Sequence, residues 1–304
     1  MQRRYSETDV PDQSGRTAFI TGSNTGIGWD AARVLAGRGA RVLLGCRSAD
    51  KAASAREKIL AMHPQAQVAT VPLDLGSLAS VRDAAQLVAE EPRLDLLINN
   101  AGIMVPPREL TVDGFESQFG VNHLGHFALT GLLLEKLKDR EGARIVSVSS
   151  HAHRAGRIHF DDLAAENSYS RQGRYGQSKL ANLLFTYELQ RRLAAAGSPA
   201  IAVACHPGGA ETELIRHYPA AAQALIPLLR LVLNTSAEGA LPTLRAAADP
   251  VVLGGDYFGP QGFGELARGA RKVASTARSH DTDVARRLWD VSVDLTGVDP
   301  QLAA

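Results

Sequence analysis

Tyr175 and Lys179 stand four residues apart in Arg174-Tyr175-Gly176-Gln177-Ser178-Lys179, ahead of apolar residues at Leu180, Leu183, Leu184, Tyr187, Leu189 and Leu193. That spacing predicts a helix over about 174–192, and residues i and i+4 of a helix share a face. An ammonium beside a phenol favours the phenolate and draws the phenol's pKa down from its usual value of about 10. Tyr175 so placed could give and take a proton. A tyrosine and a lysine at this spacing also occur in helices that do no chemistry, so the pair needs partners elsewhere in the chain.

The elements that would position those partners alternate between strand and helix. Thr17 to Thr21 is a short apolar run that stops at a glycine cluster, and 27–35 then reads with helical spacing. Between them lie Thr21, Gly22, Ser23, Asn24, Thr25, Gly26, Ile27 and Gly28. Glycines here allow backbone N–H groups to approach a diphosphate at the positive end of the following helix. The spacing is neither G-x-G-x-x-G nor a P-loop, and glycines that serve packing alone would look the same. A second strand, 41–45, is followed by Cys46 and Arg47, where an acidic residue would bind the 2′-hydroxyl of an adenosine ribose. A guanidinium instead suits a 2′-phosphate, so Arg47 points to NADP(H) before NAD(H), unless it is only an exposed residue opening the next helix.

A helix over 50–62, a strand over 67–73, a helix over 78–90 and a strand over 94–98 continue the alternation, which is that of a doubly wound parallel sheet with helices on both faces. Ligands gather at the carboxyl ends of such strands. Asp74 and Leu75 fall at one end, and Asn100, Ala101 and Gly102 at another. The helical stretch 115–137 carries Asn122 in its middle, where asparagine is unfavourable unless it faces solvent or bonds something particular. The strand 143–148 ends at Ser149 and Ser150; His151, His153 and His159 follow with no carboxylate or cysteine at a familiar spacing, so no metal site is expected.

A sixth strand, 200–204, leads into His206, Pro207 and Gly208. Residues 212–234 are strongly apolar, yet Pro219 and Pro227 interrupt them as they would not interrupt a buried helix. The expectation is an apolar substrate lid over about 211–234, or a pair of short helices there. A helix over 236–247 with Pro242 near its first turn, a last short strand at 257–260 and an amphipathic helix at 284–295 complete the chain.

The motifs TGSNTGIG at 21–28, NNAG at 99–102, Asn122, Ser150, Tyr175 with Lys179, and Pro207-Gly208 with Thr212 occur in one order. In that order and at these separations they resemble the short-chain dehydrogenase/reductase family. VNHLGHF, RIVSVSSHAHR, YGQSKLANLLFTYEL and ARRLWDVSVDL resemble its retinol dehydrogenase branch, and the likeness runs over roughly 15–298. The resemblance implies a Rossmann-type fold and hydride transfer with a nicotinamide cofactor. It implies a cofactor loop at Gly22, Gly26 and Gly28, an adenine contact at Asp74, the turn beside the adenosine ribose at Asn100 and a nicotinamide contact at Thr212. Ser150 would orient the reacting carbonyl, Ser149 being the lesser candidate. Tyr175 would be the acid/base, Lys179 its link to the nicotinamide ribose, and Asn122 the helix-bending asparagine of the proton relay. No G-x-S-x-G elbow supports a serine hydrolase; a sensor that binds nicotinamide without turnover is the alternative.

Composition narrows the partners. The chain has 304 residues, 45% of them hydrophobic, with no linker-like segment, so a single domain over 15–304 is expected. Residues 1–14 read as a polar, loosely held arm without the apolar stretch of a targeting signal or anchor. With 33 basic against 32 acidic residues, a net charge of +1 offers no field for nucleic acid or an anionic membrane. The expected partner is a small carbonyl or alcohol, lipophilic in view of 211–234. No membrane span is expected, and self-association stays open. Two distant cysteines suit a reducing cytoplasm.

Overall fold

The computed structural model describes residues 4–209 and 234–302. Eight strands form one sheet in the order β3-β2-β1-β4-β5-β6-β7-β8: β1 Thr17–Thr21, β2 Arg41–Cys46, β3 Gln67–Pro72, β4 Leu96–Asn99, β5 Arg144–Val148, β6 Ile201–Cys205, β7 Tyr257–Gly259 and β8 Arg271–Lys272. β1 to β7 run parallel and β8 alone is antiparallel, pairing Phe258 with Lys272. The two-residue β8 is too short for any periodicity and was not foreseen.

Both faces of the sheet are covered at its centre, which is why β1, β4, β5 and β6 read as apolar runs, whereas β3 alternates buried and exposed residues. Alternation sorts the side chains. Ala18, Ile20, Val42 and Leu44 enter one core with α1 (Gly26–Gly37), α2 (Ala49–Met62) and the late helix Ser236–Ala248. Phe19, Leu43 and Leu97 enter the other, against Leu78–Ala89, Gly125–Leu137, Arg171–Ala195 and Thr282–Thr296. The order in which strands are added reverses between β1 and β4, which lie side by side and parallel, and such a switch opens a crevice at the carboxyl ends of the strands.

Two expectations need correcting. Pro242 sits inside the helix Ser236–Ala248, beyond its first turn. A proline there leaves the carbonyl of Glu238 without its i+4 donor, and the rest of the helix is held by packing on the sheet, with Leu244, Ala246 and Ala247 fully buried. The N-terminal arm is not loose over its described part. Tyr5 and Val10 are buried, Tyr5 lies 5.3 Å under the Arg245 guanidinium, and Glu7 pairs with Arg33 at 2.6 Å. Two apolar residues five apart make too weak a pattern to reveal this docking from sequence. The expected lid over 211–234 lies almost wholly outside the described residues.

Candidate active site

The helix carrying Tyr175 and Lys179 begins at Ser170, whose hydroxyl accepts the Gly173 N–H, and runs over Arg171–Ala195. Both side chains are buried, with the Lys179 ammonium 5.8 Å from the centre of the Tyr175 ring. Lys179 Nζ donates to the Val148 carbonyl at 3.1 Å, beside Asn182 Nδ2 at 3.2 Å, so the last carbonyl of β5 anchors the ammonium. Burial pushes the Lys179 pKa down to about 8. The Cys205 thiol nearby is itself pushed up to about 12 by burial, so it is neutral at working pH and adds no offsetting charge.

The two adjoining serines differ in where each hydroxyl goes. Ser149 is buried and donates to the Lys179 carbonyl at 2.8 Å. Ser150 is half-buried and caps the short turn His151–Ala155; its Oγ accepts the Ala152 N–H at 3.2 Å, leaving its own O–H to donate. His153 Nδ1 donates to the Ser150 carbonyl at 2.6 Å and holds the turn.

Asn122 lies on a π-helical turn, Gly120–Leu124, inserted between Ser117–Phe119 and Gly125–Leu137. Such a turn adds a residue to the helical register and frees backbone groups at that level. Asn122 Oδ1 accepts the Ile103 N–H at 2.8 Å, while Nδ2 donates to the Ile103 carbonyl at 2.9 Å and to Ser178 Oγ at 3.0 Å. Its backbone carbonyl accepts from His126 Nδ1 at 3.0 Å. That bond puts the His126 proton on Nδ1, so Nε2 accepts the Thr21 hydroxyl at 2.8 Å, and Thr21 Oγ1 accepts the N–H groups of Asn100 and Ala101. Burial holds His126 neutral, its pKa lowered to about 4, which agrees with this arrangement. Thr21 and His126 thus tie the glycine turn to Asn122. Sequence reading quoted both only as parts of longer motifs and gave neither a role; the available signal for His126 was a histidine one helical turn after Asn122.

The glycine turn is packed closely on itself and on Asn100. A Cβ on Gly28 would stand 2.4 Å from Asn100 Nδ2 and 2.6 Å from the Gly22 carbonyl. Thr25 caps α1 with its backbone alone, so the first amide donors of that helix receive no side-chain oxygen and remain for an anionic group. Ser23 is buried with its hydroxyl on the Ile20 carbonyl, and Ile27 is core, so both can meet a ligand only through backbone. Asn24 is half-buried, Thr25 and Arg47 are exposed, and Arg47 has no ion-pair partner among the described residues. Asp74 is half-buried at the end of β3, its Oδ1 accepting the Gly76 N–H at 2.9 Å. Leu75 is buried in the core. Asn100 donates its side-chain amide to the Thr21 carbonyl at 2.8 Å, which makes it a clasp of the glycine turn. A Cβ on Gly102 would come within 3.4 Å of Lys179 Nζ and 3.1 Å of Asn122 Oδ1, so this turn, Asn122 and Lys179 meet at one place. Pro207 and Gly208 follow β6, with Asn234 Nδ2 bonded to the Pro207 carbonyl at 2.9 Å. Thr212 lies outside the described residues.

The absence of a carboxylate near the histidines in sequence does not hold in space. Glu265 stands within 3.2 Å of His206 Nε2 and 3.6 Å of His151 Nε2.

A doubly wound sheet with an anion-ready glycine turn at its switch point, beside a buried lysine and tyrosine, defines a nicotinamide-dependent oxidoreductase of alcohols and carbonyls. Comparison with known proteins agrees. The family model described as short chain dehydrogenase matches residues 16–223. The chain is 44% identical to Retinol dehydrogenase 12 of Homo sapiens over 290 residues, 93% of this chain and 87% of that protein. It is 43% identical to Retinol dehydrogenase 11 of Homo sapiens over 294 residues, 96% and 89% of the two chains. A crystal structure from Mycobacterium Paratuberculosis matches with a TM-score of 0.82 at 44% identity, covering 99% of this chain and 100% of that one. A blue fluorescent protein from a metagenomic library, solved in complex with NADPH, matches with a TM-score of 0.63 at 25% identity, covering 81% of this chain and 96% of that one. The chain belongs to the short-chain dehydrogenase/reductase family and resembles its retinol dehydrogenases.

Proposed function

We propose that the protein interconverts a lipophilic alcohol and its aldehyde or ketone, with Tyr175 exchanging the proton on the reacting oxygen. The bound nicotinamide supplies or accepts the hydride. Gly22, Gly26, Gly28, Asp74, Asn100, Gly102, Pro207, Gly208 and Thr212 would hold it, with Lys179 toward the nicotinamide ribose. Ser150 donates a second hydrogen bond to the reacting oxygen, so charge developing there meets two donors. Lys179 favours the ionised form of Tyr175, and Asn122 keeps the neighbouring backbone in register. The observation that carries this reading is the ammonium of Lys179, buried 5.8 Å from the Tyr175 ring with no ion-pair partner among the described residues. A buried charge is costly and is retained where it serves a function.

NADP(H) is the preferred cofactor on this reading, because Arg47 is exposed just beyond β2, without an ion-pair partner among the described residues, where it can meet a 2′-phosphate. The lipophilic substrate is supported by the composition of 211–234 and by exposed Phe263 and Leu266 on either side of Glu265. It is supported also by the relatives named for retinol. Burying such a substrate contributes about 25 cal/mol per Å². The two buried, unbridged cysteines fit a reducing, cytoplasmic setting. Among the described residues no helix is long and apolar enough to cross a membrane.

The test is kcat/KM for a series of aldehydes of increasing chain length with NADPH and NADH. We expect a steady rise with length, and a preference for NADPH of about ten- to a hundredfold, from a charged contact of roughly 1.5–3 kcal/mol, that is lost in Arg47→Asp. A flat or falling length series contradicts the lipophilic substrate, and equal cofactor ratios contradict the role of Arg47.

A further inference from the structure

Glu265 lies in the connection between β7 and β8 with φ +57, after Gly264 at φ +60. Left-handed backbone costs a residue with a Cβ on the order of 1 kcal/mol, and it persists where surrounding contacts over-determine it. Here those contacts come from two other parts of the chain. Glu265 Oε2 accepts from His206 Nε2 at 3.2 Å and from Arg154 Nη2 at 3.3 Å, and the Glu265 carbonyl accepts from His151 Nε2 at 3.2 Å. His206 in turn accepts the Gly208 N–H on Nδ1 at 3.2 Å. Gly208 is fitted tightly as well, since a Cβ there would stand 2.4 Å from the Leu266 carbonyl.

Three ligand atoms within 4.8 Å of one another could suggest a cation site. The hydrogen bonds argue otherwise. With the Gly208 N–H on Nδ1, the neutral His206 ring carries its proton on Nε2 and donates it to Glu265, whereas a metal would need that nitrogen bare. Arg154 also occupies the same carboxylate oxygen with a positive charge. What remains is a carboxylate–histidine clasp. The groups that face it are His151, Arg154 and His206, and His206 before the others holds the Glu265 carboxyl below the usual range.

We propose that Glu265 is a positioning residue for hydride transfer: through His206 it fixes the Pro207-Gly208 turn, and through His151 and Arg154 it fixes the turn that begins at Ser150. The two sides of the reacting cleft then keep one spacing. This rests on the assignment of Ser150 above, so the test includes a readout that does not depend on turnover.

Amide hydrogen exchange is followed in peptides covering 148–154 and 204–209, alongside kcat and KM, in wild type, Glu265→Ala, Glu265→Gln and Arg154→Ala. In Glu265→Ala we expect faster exchange in both peptides and kcat down at least tenfold with the KM for aldehyde changed less than threefold. Glu265→Gln keeps an acceptor for His206 and should recover kcat to within a few-fold of wild type, a rescue that a simple loss of stability would not give. Arg154→Ala, at a more exposed position, should speed exchange in 148–154 alone. Unchanged exchange in Glu265→Ala overturns the clasp, and faster exchange with unchanged kcat overturns its role in positioning. Inhibition of wild type by micromolar Zn²⁺ that is absent in Glu265→Ala would overturn it in favour of a cation site.

Discussion

Lys179 shows what a single charge does to this protein. Its folded-state pKa of about 8 lies below the ordinary 10.5, because burial disfavours the ammonium. Between those values the unfolded chain keeps a proton that the folded chain has lost, so stability rises with pH across the window, and the full penalty is present below about pH 8. The penalty is on the order of 3 kcal/mol at most. Lys179→Met should therefore raise the urea midpoint of the cofactor-free protein at pH 7 and flatten its rise toward pH 10. Identical pH slopes in variant and wild type would show that the ammonium is not desolvated. At this scale the sequence was informative where a residue type stands at a distinctive spacing, as with Tyr175 and Lys179. It was uninformative where two like residues adjoin: only the fold shows that Ser149 turns inward to the Lys179 carbonyl while Ser150 caps the turn that follows β5.

At the level of elements, strands and helices were legible because the central strands β1, β2, β4, β5 and β6 are buried on both faces and each helix begins near a glycine, serine or aspartate. Ser48, Ser77 and Asp281 all cap helices with their side chains. The π-turn at Gly120–Leu124 was not legible, since one added residue barely disturbs the apolar spacing; the single hint was an asparagine in a helix. Contacts that join distant segments, such as His206 with Glu265, leave no mark on local pattern. The tight meeting of the glycine turn with Asn100 yields a prediction. Gly28→Ala places a methyl 2.4 Å from Asn100 Nδ2 and 2.6 Å from the Gly22 carbonyl, so the turn must open. Cofactor affinity measured by fluorescence titration should fall at least tenfold, and unchanged affinity would remove this turn from the binding site.

The whole molecule closes its sheet with both ends of the chain. The Thr282–Thr296 helix stacks Trp289 on Phe185, with Arg192 4.4 Å above the indole, and the N-terminal arm seals α1 through Tyr5, Val10 and Glu7. Tyr5→Ala should destabilise the fold by about 3 kcal/mol, as for other buried aromatics, and lower Tm without changing kcat at 25 °C; an unchanged Tm would mean that the arm is a passenger. The central claim concerns the reaction for which this framework holds its side chains. The most direct measurement is turnover by Tyr175→Phe with saturating NADPH and an aldehyde. The ring still packs but the transferable proton is gone, so kcat should drop by about 10²–10⁴ while NADPH binding stays within a few-fold of wild type. A kcat within a few-fold of wild type would contradict Tyr175 as the acid/base.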